Sequence, residues 1–111
     1  NNHKRNLMAI SQIAREEEIP ILVVLLPIWR ELNGNYEFSE IHDLLDKAIA
    51  DEGLYSINMA PGAENVYEEA LEYLINPRVD PKDYDHPNYK GHRRIADMIY
   101  EKLVQEKLLP Q

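Results

Sequence analysis

The six residues Ile21-Leu22-Val23-Val24-Leu25-Leu26 form an unbroken β-branched and aliphatic run that stops at Pro27. A strand with one face in water alternates apolar and polar residues, and this run has no polar residue to expose. It suits a strand of a parallel sheet covered on both faces. The whole apolar stretch, Ile19 to Trp29, is about half the length needed to cross a bilayer. No membrane span is expected.

The segments around the run alternate helix and strand. Leu7, Ile10, Ile13 and Ala14 recur at helical spacing and predict a helix over about 4–17. Trp29 to Phe38 contains Asn33-Gly34-Asn35 and lacks a period, so it reads as a loop beyond the C-terminal end of the strand, where loops commonly line sites. Ser39 is placed to supply an N-cap oxygen. Ile41, Leu44, Leu45, Ala48 and Ile49 form one apolar face, and Gly53 stands where a helix terminates. Leu54 to Met59 has the length of a second short strand. A further helix is expected from Pro61, with Ala63, Val66, Tyr67, Ala70, Leu71 and Leu74 on one face, and a last one from Asn88 or Tyr89, with Ile95, Met98, Ile99 and Leu103 inward. This order predicts an α/β layered fold with parallel strands, in one partial domain over 1–111.

Composition narrows the function. With 111 residues and 44% hydrophobic side chains the chain can bury a core. Twenty acidic against twelve basic residues give a net charge of −8, which repels phosphate backbones, so no nucleic-acid partner is expected. The absence of cysteine removes disulfides, thiolate zinc sites and cysteine catalysis. The chain opens Asn1-Asn2-His3-Lys4-Arg5 without methionine and reaches a helical pattern within a few residues, so it is expected to be a piece of a longer protein. No compartment is assigned.

The chemistry is concentrated between Asp80 and His92, where Asp80, Asp83, Asp85, His86 and His92 surround two prolines and a glycine. A nucleophilic hydrolase needs an imidazole to take the nucleophile's proton and a carboxylate to hold its tautomer. Asp83 can fold back across a turn toward Nδ1 of His86 and leave Nε2 outward, and Asp85 is the alternative acid. Pro87 stiffens the next position, and Asn88 can cap the following helix. The two histidines lie six apart across a helix start and satisfy no established ligand spacing, so no metal or other cofactor is expected. Trp29 and Tyr84 are candidates to line a substrate cleft, as are Tyr36 and Tyr89.

The block Asp83-Tyr84-Asp85-His86-Pro87-Asn88-Tyr89-Lys90-Gly91-His92, continuing through Ile95 and Ala96, resembles the last signature block of SGNH, or GDSL-like, hydrolases. That block reads Asp-x-x-His and usually continues Pro-Asn-x-x-Gly-His into the C-terminal helix. The resemblance implies the C-terminal half of a three-layer αβα sandwich with a parallel, flavodoxin-like sheet. It implies hydrolysis of a small-molecule carboxylic ester through an acyl-serine, with His86 as base, Asp83 as its orienting carboxylate and His92 as a packing residue of the last helix.

The family's serine stands in a Gly-Asp-Ser block near the start of its domain, and its oxyanion donors come from intermediate blocks. None of these is present. Ser11, Ser39 and Ser56 are the only serines, and none follows Gly-Asp or sits in a glycine-flanked elbow. One partner is therefore expected besides the ester, covering the Ile21 to Leu26 edge: the missing N-terminal half of the same domain or a second copy. The reading from a different class is a non-catalytic α/β binding or regulatory module whose acidic loop contacts a partner.

Overall fold

The computed structural model describes residues 2–28, 36–59 and 86–110. Among them are helix α1 (Asn2–Glu16), strand β1 (Leu22–Leu25), helix α2 (Ser39–Asp51), strand β2 (Tyr55–Asn58) and helix α3 (Tyr89–Gln105). The architecture of the described residues is mixed α/β, with three helices and a two-stranded parallel sheet in the order β1-β2. The expected helix after Pro61 lies outside the described residues.

The strands pair with Leu22 opposite Tyr55, Val23 opposite Ser56, Val24 opposite Ile57 and Leu25 opposite Asn58. Paired residues of parallel strands share a face, so each face carries alternate residues. On one face Leu22, Val24 and Ile57 meet Tyr36, Met59 and the α3 residues Ile95, Met98 and Ile99. On the other, Ile21, Val23 and Leu25 meet Leu7 and Ala14 of α1, Ile49 of α2 and Leu54. The sheet therefore has helices on both faces, as the unbroken apolar run requires. All four residues of β1 are nevertheless only half-buried.

The three described helices end the same way. Leu54 N–H bonds Ile49 O and Gly53 N–H bonds Ala50 O; Ile19 bonds Ala14 while Glu18 bonds Arg15; Leu108 bonds Leu103 while Lys107 bonds Val104. This paired closure satisfies terminal carbonyls and needs one residue at positive φ. Gly53 takes it at 74°, whereas Glu18 and Lys107 take it at 53° and 55° with a side chain attached. The sequence shows the first stop because glycine marks it. The other two carry no such residue.

Helix starts and faces correct two expectations. Phe38, not Ser39, occupies the N-cap of α2, and it supplies no side-chain bond. The Ser39 hydroxyl instead donates backward to Tyr36 O at 3.0 Å. The buried stripe of α2 is His42 and Ile49, whereas Ile41 and Leu44, both expected inward, are 52% and 68% exposed. In α1 the buried residues are Ser11 and Ala14, and Ile10 and Ile13 are exposed. In both helices the inward line at i, i+4, i+7 contains a polar residue with a partner deep in the fold. Ser11 donates to Glu52 O at 2.6 Å, tying α1 to the end of α2.

Candidate functional site

The sequence-predicted site is met at the start of α3. Asn88 is buried with extended backbone (φ −77°, ψ −173°), and its Oδ1 accepts from Lys90 N–H and Gly91 N–H, both at 3.0 Å. This is the cap that the Pro-Asn step predicts: an acceptor placed over amides that have no partner inside the helix. Gly91 is buried. His86 lies three residues before the first helical residue and is exposed. His92 is exposed as well, which corrects its expected packing role. Tyr89 is 78% exposed and packs little. Asp83, Asp85, Tyr84 and Trp29, like Asp80, lie outside the described residues.

Ile95 packs in the cluster containing Tyr36 and Met59, the latter one residue past the end of β2. Met98, Glu101, Lys102 and Gln105 line one depression together with Ser56, Ile57 and Asn58. Ile95, Met98 and the following turns of α3 thus lie against the C-terminal end of β2. Ligands of open α/β sheets bind at that end.

A polar assembly that sequence reasoning missed lies at the same end. His42 is 8% exposed, with Nε2 3.1 Å from the Tyr36 hydroxyl and Nδ1 3.0 Å from Asn58 Oδ1. The Tyr36 oxygen also accepts Ile28 N–H at 2.9 Å. Tyr36 is 3% exposed, and its ring meets Phe38 and His42 edge-on, with centroids 5.7 and 5.4 Å apart. One turn further along α2, Asp46 accepts the hydroxyl of Ser56. His42 and Asp46 thus face Asn58 and Ser56, and helix meets strand through a polar seam. Buried polar groups are tolerated where they are bonded, and these are.

The three serines are accounted for by these bonds. Ser11 and Ser39 donate to backbone carbonyls and Ser56 to a carboxylate, so none directs its proton at an imidazole. None has the geometry of an activated nucleophile, which needs its hydroxyl on a base.

Comparison of the chain with protein-family models, with curated proteins and with solved structures found no match.

The cap yields a prediction. Asn88→Ala removes the acceptor for two buried or half-buried amides and is expected to destabilise the chain by about 1 kcal/mol, read as a shift in the urea midpoint with unchanged slope. A midpoint equal to that of the unaltered chain would remove the cap from the account of how His86 is held.

Proposed function

We propose that this chain is the C-terminal part of an SGNH-type serine ester hydrolase domain, half of a three-layer αβα sandwich, with His86 as the base and Asp83 as its partner. The observation that carries the reading is the block from Asp83 to His92, in which Asp-x-x-His runs into Pro-Asn-x-x-Gly-His. Among its described residues, Asn88 caps α3, Gly91 is buried and His86 is exposed, which supports the reading. A parallel sheet with helices on both faces is the matching framework. Exposed Ile10, Ile13, Ile41 and Leu44 offer apolar surface for the missing half, or a second copy, to cover.

The chemistry follows from the roles. A serine outside this chain attacks the ester carbonyl while His86 takes its proton. The imidazolium, stabilised by Asp83, returns that proton to the departing alcohol, and the acyl-serine is then hydrolysed by water with His86 again as base. No cofactor enters these steps.

The test compares the complete protein with the isolated 111-residue chain on an activated ester such as p-nitrophenyl acetate. The complete protein should carry a Gly-Asp-Ser block and turn over. The isolated chain should match a denatured control, because a base and an acid without nucleophile and oxyanion donors lack the main sources of acceleration. Saturable turnover by the isolated chain, lost in His86→Ala, would reveal an overlooked nucleophile. A complete protein with no Gly-Asp-Ser block and no turnover would favour a binding or regulatory module.

A further inference from the structure

His42 and Asn58 belong to none of the roles assigned above, and Tyr36, expected to line a cleft, is 3% exposed; together they connect the exits of both strands. Ile28 lies three residues beyond β1, and the chain continues from it to Trp29; Asn58 is the last residue of β2. Between them run three bonds: Ile28 N–H to the Tyr36 oxygen, that hydroxyl to His42 Nε2, and His42 Nδ1 to Asn58 Oδ1.

The bonding pattern has a direction. A backbone N–H only donates, so the Tyr36 oxygen receives at one end. The Asn58 carbonyl oxygen only accepts, so Nδ1 carries a proton. Nε2 is then free to accept the Tyr36 hydroxyl proton, and each group has a partner of the right kind. With the proton on Nε2 instead, Nδ1 would meet the Asn58 oxygen lone pair to lone pair, and the Tyr36 oxygen would accept twice while its own proton sought another partner. Of the two tautomers, the one with its proton on Nδ1 satisfies the bridge as built.

We propose that His42 is a positioning residue, locked as the Nδ1–H tautomer by Tyr36 and Asn58, whose bridge sets the separation of the two strand exits. The proposal rests on the hydrolase reading for its functional part, because in sequence Trp29 follows the first exit and Asp83 and His86 come downstream of the second. A rigid span is a better fixture there than apolar contact, which tolerates sliding. Hydrogen bonds fix both distance and angle. Misplacement of a reacting group by about 1 Å costs on the order of 10²-fold in rate, so a fixture of this kind acts on kcat without touching substrate.

Two measurements test it. Long-range ¹H–¹⁵N spectra of the chain should show His42 with a protonated Nδ1 and an unprotonated Nε2. Tyr36→Phe, which removes one oxygen and leaves the ring, should speed exchange of the Ile28 amide by about tenfold or more. A ring protonated on Nε2, or Ile28 exchange unchanged, would abolish the bridge. In the complete protein, Tyr36→Phe and Asn58→Leu should each lower kcat on p-nitrophenyl acetate by about 10- to 100-fold, with KM and the pH profile of kcat retained. Asn58→Asp keeps an acceptor for Nδ1–H and should restore most of the rate. Variants that melt lower but keep the full kcat when folded would show a bridge with no positioning role. Absence of ester turnover in the unaltered complete protein would sink the hydrolase reading and the positioning role with it, while the spectra would still decide whether the bridge exists.

Discussion

Replacement of His86 by alanine in the complete protein is expected to lower kcat for ester hydrolysis by several orders of magnitude, with little change in KM. The size follows from what the imidazole does in the proposed reaction. It takes the serine proton as the tetrahedral intermediate forms and returns it to the alcohol as that intermediate collapses, so both barriers rise when it is lost. The ester is bound by other groups, so the ground state is little affected and the loss appears in kcat. His86 is exposed, so the substitution should leave the fold intact. Steady-state kinetics with circular dichroism of the same sample would check both points. An active, folded His86→Ala protein would end the triad reading.

The second large effect distinguishes two neighbouring acids. Asp83→Asn is expected to reduce kcat by about 10⁴-fold, because an amide in place of the carboxylate neither stabilises the imidazolium nor holds the tautomer with its proton on Nδ1. Asp85→Asn should cost far less, since that side chain precedes His86 directly and the family spacing assigns the partner's role to Asp83. Both substitutions keep volume and remove one charge from a chain of net charge −8, so a general electrostatic effect would move them together. Parallel measurement of the pair isolates the specific contribution. The opposite order would transfer the role to Asp85.

Legibility differed by element for physical reasons. The apolar run from Ile21 to Leu26 was readable as a strand because covering both faces excludes polar residues, and Leu22–Leu25 pairs in parallel with Tyr55–Asn58. The end of α2 was readable through Gly53 and the start of α3 through Asn88, because positive φ and capping each select particular side chains. The faces of α1 and α2 were misjudged for one common reason. Hydrophobic periodicity treats polar residues as outward, yet Ser11 and His42 point inward. A usable signal existed. Ser11 lies between Leu7 and Ala14 at i, i+4, i+7 on an otherwise apolar line, and His42 lies two turns before Ile49.

What the sequence determined by itself is what neighbouring residues can decide: where the described helices and strands run, where α2 stops, that Asn88 caps α3, and that an acid and a base are concentrated between Asp80 and His92. The tertiary structure alone decided the pairings made across long separations. His42 and Asn58 are sixteen residues apart, and Ser11 meets Glu52 across forty-one. No local pattern announces such partners, since a buried polar group is stable only once the fold has delivered its complement. The rotation of α2 that turns His42 and Asp46 toward Asn58 and Ser56 and leaves Ile41 and Leu44 outside is settled by those bonds, which the intrinsic preferences of the helix do not contain.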